Sequence, residues 1–305
     1  MEHLLAGTTV PLVTVMSAPG VPDAERTIPL LGAMASAGID NLMLLGSNGE
    51  GALLDPSATH DYLVRVVSEW RAVRHGGRVL INVSAAGTGD VIRRATSALD
   101  AAPDLLIVSP PSYFYHRDDE IVAHIRALEQ FGIPYAIYNV PKYANALTAS
   151  VFRVLLDDSP TLVGMKDSSG SMDTVREFLE LAKTRPGIGL SQGDEMHLTE
   201  ALVAGAVGIV PGTANLLPGL TVDLYAAVVA GDDDAAERAQ VITREIAALH
   251  AIRPGVPSVK AVLSNRGYID DFVAPPLARC SNDERQGLAE FLTPFEPDLI
   301  ARYPL

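Results

Sequence analysis

One lysine, Lys166, lies inside the apolar run LVGMKD and is followed by the polar segment SSGS. It is the only lysine within the eight segments of the chain that have the pattern of a β-strand. An amine on an interior strand is partly desolvated, and loss of water favours its neutral, nucleophilic form. A neutral amine can attack a ketone and form a Schiff base. The position of Lys166 therefore predicts imine chemistry.

Two further groups of polar residues would support this chemistry. Tyr138 ends the neighbouring strand-like segment, in IYNVP, where its phenol can move a proton to and from a carbinolamine. The loop GSNGEG, residues 46–51, supplies the Ser47 hydroxyl, backbone N–H groups and permissive glycines that suit a bound carboxylate. The alternatives are a structural ion pair of Lys166 with Asp167 or a helix carboxylate, and a purely structural core tyrosine. The presence of both side chains on adjacent strands favours the catalytic interpretation.

Short strand-like runs alternate with longer amphipathic segments along the chain, which is typical of parallel strands joined by helices. Eight strands are predicted, at residues 8–16, 41–46, 78–84, 104–110, 134–140, 161–167, 187–193 and 206–212. This alternation favours an α/β fold of the (β/α)8, or TIM-barrel, type over an open doubly wound sheet. Catalytic groups of such barrels lie at the carboxyl ends of the strands, and the polar residues described above fall there.

The helical segments have recognisable ends. Asp23 and Asp55 are predicted N-caps, the second with Pro56 at the first helical position. After the eighth strand only helical patterns follow. We therefore divide the chain into a catalytic barrel, residues 1–220, and a C-terminal helical extension, residues 221–305, which packs on the barrel as an added layer.

The overall composition argues against several classes of protein. The 305 residues carry a net charge of −14, which disfavours binding to nucleic acid or to an anionic membrane surface. The single cysteine, Cys280, cannot form an internal disulfide, and no apolar run reaches the roughly 20 residues that span a bilayer. The N-terminal residues lack the pattern of a signal peptide. We expect a cytoplasmic protein with no nucleic-acid or membrane partner.

Six motifs occur in one order over essentially the whole chain: GSNGEG, SPPSYFY, YNVP, VGMKD, QGDE and GAVGIVPGTAN. Together they resemble the class I pyruvate-dependent aldolase superfamily that includes dihydrodipicolinate synthase and N-acetylneuraminate lyase. The resemblance implies a covalent lysine imine with pyruvate and no other cofactor. It also implies that Lys166 forms this Schiff base and that Tyr138 is the general acid/base.

Other positions match further residues of that family. Ser47 and Asn48 fall where the family has a pair of hydroxyl residues that bind the pyruvate carboxylate and relay protons. Tyr113 matches a tyrosine that a neighbouring subunit inserts into the site, which implies a homo-oligomer, usually a dimer of dimers. The remaining positions that the resemblance places in substrate binding are Gly49, Gly193, Asp194 and Val210.

Two departures from the family pattern bear on the substrate. Tyr143 stands where dihydrodipicolinate synthase has an arginine for the carboxylate of aspartate semialdehyde, and a phenol cannot make that bidentate contact. Lys142 beside it would act only as a point charge. Asn48 replaces a threonine, and an amide cannot pass a proton as a hydroxyl does. The aldehyde pocket is expected to include Tyr113, Tyr143, Lys142, Ser168 and the loop after the seventh strand.

Several functions remain open at this point. We favour an aldolase that cleaves or forms a bond between pyruvate and an aldehyde, with a 2-keto-3-deoxy acid as substrate. Dihydrodipicolinate synthase, an imine-based dehydratase of a keto-deoxy sugar acid, and a non-catalytic ligand-binding protein are the alternatives. A metal-dependent aldolase is disfavoured, because the nearest ligand cluster is Asp194, Glu195 and His197, and adjacent carboxylates on a strand face apart. We therefore expect no metal site.

Overall fold

Eight parallel strands close into a barrel in the computed structural model, which describes residues 3–304. The strands of this part of the chain are β1 (Gly7–Pro11), β2 (Met16–Ala18), β3 (Val21–Pro22), β4 (Asn41–Leu44), β5 (Arg78–Asn82), β6 (Leu105–Val108), β7 (Tyr135–Asn139), β8 (Leu162–Asp167), β9 (Gly189–Gln192) and β10 (Gly208–Ile209). β2 and β3 form a separate antiparallel hairpin, and the other eight form the barrel. Each barrel strand lies within or overlaps one predicted strand, so the predicted (β/α)8 fold is confirmed.

The first strand is shorter than predicted. β1 ends at Pro11, and the chain then leaves the sheet. The Thr14 hydroxyl donates to the Gly49 carbonyl at 2.6 Å, and the Val13 N–H donates to the Asn215 side chain at 3.1 Å. These partners lie in loops that follow other strands, so the apolar residues after Pro11 brace the loops at one end of the barrel instead of extending the sheet.

Helices follow the strands around the outside of the barrel. Within residues 3–304 they are α1 (Ala24–Ser36), α2 (Pro56–Val73), α3 (Thr88–Leu99), α4 (Asp118–Arg126), α5 (Ala149–Asp158), α6 (Met172–Ala182), α7 (Leu198–Ala204), α8 (Pro218–Ala230), α9 (Asp233–Ala247), α10 (Leu249–Ile252), α11 (Val256–Asn265) and α12 (Asn282–Phe291). Both predicted caps are present: Asp23 accepts from the Arg26 N–H, and Asp55 accepts from the Ser57 N–H. No helix of this part of the chain has the length and apolar character needed to cross a membrane.

The C-terminal helical extension is present as α9 to α12. The predicted boundary at residue 220 falls inside α8, which packs against β1 and α7 as well as against α9. α8 therefore belongs to the ring of helices around the barrel by its contacts. The division of the chain into two parts at residue 220 stays a prediction.

Side chains of the barrel strands alternate between two apolar layers, as the two-residue period of a strand requires. One layer packs against the helices, and it contains Tyr135, Ile137 and Met165. The other fills the barrel interior, and its members include Met43, Leu80, Ile107, Ala136 and Tyr138. Since Met165 faces the helices, the next residue, Lys166, faces the interior. The alternation thus directs the lysine and the tyrosine into the same space.

Candidate active site

Tyr138 and Lys166 lie side by side in the barrel interior. They are direct neighbours in the parallel register of β7 and β8. The Lys166 Nζ lies 4.3 Å from the centroid of the Tyr138 ring, and the two residues are only 4% and 6% exposed. A desolvated amine beside a phenol is the arrangement that imine chemistry requires, because one group attacks the carbonyl and the other moves protons.

Lys166 is not part of a structural ion pair. Among residues 3–304, no carboxylate lies within ion-pair distance of its Nζ, whose polar neighbour is the Met43 Sδ at 3.7 Å. A thioether is a weak hydrogen-bond acceptor, and an aromatic face holds a cation only loosely at this distance. The amine is therefore buried without a strong partner, so a substrate carbonyl can take the place of its present contacts.

Asp167, the residue expected as a possible partner of Lys166, points elsewhere. Its side chain accepts from the Asn139 amide at 2.6 Å, and from the Ser169 N–H and hydroxyl at 3.1 and 2.8 Å. Burial raises the pKa of this carboxyl, and the hydrogen bonds from Ser169 and Asn139 oppose the shift. Because Asn139 and Asp167 follow Tyr138 and Lys166 directly, their contact locks the register of the two strands beside the candidate catalytic pair.

Ser47 brings the loop of residues 46–51 to the tyrosine. Its Oγ lies 3.4 Å from the Tyr138 hydroxyl, at the outer limit of a hydrogen bond, and the serine itself is exposed. A chain of polar atoms therefore runs from the exposed serine to the buried phenol. Such a chain can carry a proton between solvent and the site.

The loop of residues 46–51 is tightly folded. Glu50 and Leu45, which flanks the loop, have left-handed backbones with φ of 56° and 55°, a conformation that non-glycine residues seldom adopt. A Cβ at Gly49 would lie 2.8 Å from the Leu45 nitrogen, so only glycine fits there. The Glu50 N–H donates to the Ser47 carbonyl at 3.2 Å and closes the turn.

The loops after β9 and β10 also lie against residues of the candidate site. A Cβ at Gly193 would overlap the Ser168 hydroxyl and lie 2.6 Å from the Lys166 Cε, so this glycine lets the loop approach the lysine. A Cβ at Gly212 would lie 3.0 Å from the Asn48 amide nitrogen, which places Asn48 against the loop after β10. Val210 is buried, and its N–H donates to the Gln192 carbonyl at 2.7 Å.

The candidate metal ligands do not converge. Asp194 contacts the His197 Nδ1 at 2.6 Å, whereas Glu195 turns away and accepts from the Gly212 N–H at 2.7 Å. The two adjacent carboxylates therefore face apart. Within residues 3–304 no group of three or more His, Cys, Asp or Glu side chains is arranged to hold a metal ion.

The serines after Lys166 have separate roles. Ser169 holds the Asp167 carboxylate, and Ser171 caps α6 by accepting from the Thr174 N–H at 3.2 Å. Only Ser168 lies against the candidate site, beside Gly193. Two of the three serines that follow the lysine are thus explained by local structure.

A cavity of about 1220 Å³ opens onto this end of the barrel. Its lining includes Ser47, Tyr138 and Tyr143 among the predicted site residues, and it extends outward to α3 and to the C-terminal layer. Lys166 lies outside this lining, with its Nζ 4.3 Å from the centroid of the Tyr138 ring. Lys142 and Tyr113 are exposed and lie outside the lining of this cavity, with the Lys142 Nζ 5.5 Å from the Tyr143 ring centroid.

Comparison with known proteins shows the family of this chain. A sequence model of the Dihydrodipicolinate synthetase family matches residues 4–294. The chain belongs to this family. An uncharacterized DapA-like lyase of Halobacterium salinarum is 30% identical over 288 residues, which are 93% of this chain and 92% of that protein. A 4-hydroxy-tetrahydrodipicolinate synthase of Xylella fastidiosa is 28% identical over 297 residues, 96% of each chain.

Solved structures of the dihydrodipicolinate synthetase family share the barrel. YagE, a prophage protein of E. coli K12 solved in complex with pyruvate, superposes with a TM-score of 0.90 at 22% identity, covering 95% of this chain and 98% of that one. Dihydrodipicolinate synthase of Bacteroides thetaiotaomicron gives a TM-score of 0.88 at 26% identity, covering 96% and 100%. Membership in this family confirms the expected enzyme class, a class I carbon–carbon lyase or related synthase.

Some residues of this family member's site were not found by sequence reasoning. Met43 contacts the lysine, Asn139 locks the strand register, and Glu195 fixes the loop after β10. Met43 and Asn139 lie within predicted strands, but nothing in their type distinguishes them from core residues. Glu195 belongs to QGDE, where only its neighbours Gly193 and Asp194 were assigned.

Proposed function

We propose that the protein is a class I aldolase that releases pyruvate from, or adds pyruvate to, a 2-keto-3-deoxy acid skeleton through an imine on Lys166. The observation that carries the proposal is the buried amine of Lys166, whose Nζ lies 4.3 Å from the centroid of the Tyr138 ring and pairs with no carboxylate of residues 3–304. The Tyr138 hydroxyl in turn lies 3.4 Å from the Ser47 Oγ. Attacking amine, proton carrier and an outer hydroxyl thus follow one another from the barrel interior to the cavity.

In the cleavage direction the lysine amine attacks the C2 ketone of the substrate. The carbinolamine takes a proton from the Tyr138 phenol and loses water, which leaves an iminium ion and the Tyr138 phenolate. The phenolate removes the proton of the C4 hydroxyl, the C3–C4 bond breaks, and its electron pair is taken up by the iminium group. An aldehyde leaves, and the resulting enamine takes the proton back from Tyr138 at C3. Water then hydrolyses the iminium ion, which frees pyruvate, restores the amine and returns a proton to Tyr138.

The loop of residues 46–51 supports pyruvate binding in this proposal. It carries Ser47 and Asn48, and a tight turn of this kind can offer backbone N–H groups to a small anion. Asn48 donates to the carboxylate but carries no proton onward, so the relay to solvent runs through Ser47.

The aldehyde half is assigned to the space beside Tyr143, which lines the cavity and is 57% exposed. A phenol at this place suits hydroxyl groups of the substrate better than a second substrate carboxylate. It offers a single neutral hydrogen bond, whereas an arginine would offer two charged ones. This favours a polyhydroxy aldehyde. The curated relatives named 4-hydroxy-tetrahydrodipicolinate synthase favour condensation with aspartate semialdehyde as the second candidate.

Borohydride trapping tests the imine. Sodium borohydride added with pyruvate should reduce the Schiff base and add covalent mass at Lys166, and the variant Lys166→Arg should gain none. Lys183→Arg is the matched control, because Lys183 is exposed on the outer surface at the end of α6. Wild-type protein without an adduct, or an equal adduct in Lys166→Arg, would overturn the proposal.

A pyruvate-release assay separates the two substrates. We expect release from 2-keto-3-deoxy acids, detected by coupling to lactate dehydrogenase, and slower condensation with aspartate semialdehyde. Activity with aspartate semialdehyde alone would assign the protein to the synthase reaction. EDTA is expected to leave either activity unchanged, because the proposed mechanism uses only protein groups.

A further inference from the structure

A buried ion pair ties the loop of residues 46–51 to the C-terminal helical layer. The Glu50 carboxylate contacts the Lys260 ammonium of α11, and both side chains are completely buried. The partners lie on opposite sides of the barrel-to-layer boundary and more than 200 positions apart in the sequence. Neither residue lies on the barrel strands that carry Lys166 and Tyr138.

Each member of the pair has a second partner in the segment that follows α11. The second Glu50 oxygen accepts from the Ala274 N–H at 2.6 Å, and the Lys260 Nζ donates to the Phe272 carbonyl at 2.7 Å. Burial lowers the pKa of Lys260, and the charge of Glu50 beside it opposes that shift. The pair is thus enclosed, and each member makes one further hydrogen bond to the C-terminal layer.

The backbone of Glu50 is part of the turn that carries Ser47. Its N–H donates to the Ser47 carbonyl, and its left-handed φ of 56° sets the direction in which its side chain leaves the loop. Such a conformation persists only where surrounding contacts hold it. The side chain of Glu50 supplies such contacts through Lys260 and Ala274.

We propose that Glu50 and Lys260 are positioning residues, which hold the loop of residues 46–51 in the shape that presents Ser47 and Asn48 to the pyruvate carboxylate. A buried ion pair is weak support for stability, because apolar residues of the same volume often stabilise a protein as well. A role in holding one loop conformation explains its place directly behind the loop. The inference rests on the proposed function, since it concerns the binding of pyruvate.

The test is the concentration of pyruvate that gives half-maximal borohydride trapping. In Lys260→Met this concentration should rise by about tenfold to a hundredfold, the scale of a lost hydrogen bond to a charged group such as the pyruvate carboxylate. Trapping at saturating pyruvate should stay near the wild-type rate, because Lys166 is untouched. The double variant Glu50→Gln/Lys260→Met leaves no unpaired charge in the interior, so it can be used if the single variant does not fold. The half-saturating pyruvate concentration of the double variant is also expected to rise.

Arg266→Met is the matched control. It breaks an ion pair with Glu296 in the same C-terminal layer, at 2.7 Å, without touching residues 46–51. It should lower the melting temperature and leave the half-saturating pyruvate concentration unchanged. An unchanged concentration in folded Glu50→Gln/Lys260→Met, judged by a wild-type near-UV spectrum, would overturn the inference alone. Wild-type protein that traps no pyruvate would overturn the proposed function and this inference with it.

Discussion

The chemistry proposed for this protein depends on two side chains that would each be unremarkable alone. Buried tyrosines are common in apolar cores, and strand lysines commonly form ion pairs. Here the Lys166 amine lies beside the Tyr138 ring and the Met43 sulfur, and no carboxylate of residues 3–304 pairs with it. The proposed function uses this amine as the nucleophile and the phenol beside it as the proton carrier.

Removal of the Tyr138 hydroxyl should slow turnover and leave the fold intact. A positioned general acid/base contributes about 10²–10⁴-fold to a rate, so Tyr138→Phe should lower kcat by about this factor in the pyruvate-release assay. Tyr135→Phe is the control, because Tyr135 lies on the same strand but belongs to the apolar layer that packs against the helices. A Tyr138→Phe variant with wild-type kcat would remove the tyrosine from the mechanism.

At the scale of elements, the site is formed by the close approach of strand ends. Asn139 and Asp167 join β7 to β8, and the Gly193 N–H donates to the Asp167 carbonyl at 2.7 Å, which joins β8 to the loop after β9. A side chain at Gly193 would overlap Ser168 and crowd Lys166, so the loop after β9 needs a glycine there. The surroundings of the lysine therefore depend on backbone geometry as well as on side chains.

A methyl group at Gly193 should obstruct the lysine. In Gly193→Ala the new Cβ would lie 2.6 Å from the Lys166 Cε, so the amine must shift away from its present place. We expect the rate of borohydride trapping with pyruvate to fall by at least about tenfold, within the range that a displacement of about 1 Å produces. In Gly219→Ala, on α8, the added methyl group meets no atom within 4 Å, and trapping should be unaffected. Equal rates in the two variants would contradict this account of the loop.

At the scale of the whole molecule, the most unusual surface feature is a run of three exposed aromatic residues. Tyr113, Phe114 and Tyr115 are 90%, 69% and 96% exposed, and Tyr113 has a left-handed backbone with φ of 75°. Exposed apolar clusters of this kind mark surfaces that bind another protein. Together with the family resemblance of Tyr113, this supports the proposal of a homo-oligomer in which the tyrosine reaches a neighbouring subunit.

Loss of the Tyr113 side chain should weaken that assembly. Truncation of an aromatic anchor at an interface costs about 2 kcal/mol or more, so Tyr113→Ala should raise the dissociation constant of the oligomer by at least about thirtyfold. Sedimentation velocity over a range of concentrations measures this change. Val203→Ala, which alters an exposed apolar residue of α7, should sediment as wild type does. A wild-type protein that is monomeric at every concentration would contradict the proposal.

The local patterns of the chain determined much of the architecture. Strand and helix periods reflect which face of each element is buried, and the N-caps reflect hydrogen bonds between residues two or three positions apart. The sequence by itself therefore predicted the eight barrel strands, the caps Asp23 and Asp55, and the pairing of Lys166 with Tyr138 on adjacent strands. The predicted first strand was too long, because Val13 and Thr14 form hydrogen bonds with distant loops instead of with a neighbouring strand.

Contacts between residues distant in the chain became known only from the folded barrel. The contact of Glu50 with Lys260, the meeting of Asn48 with Gly212 and the turn of Asp167 away from Lys166 depend on barrel closure and on the packing of the C-terminal layer. Residue type does not encode such contacts, since a buried glutamate or an interior glycine has many alternative environments. Periodicity specifies which way a side chain faces, whereas its neighbours are fixed only when the elements pack together.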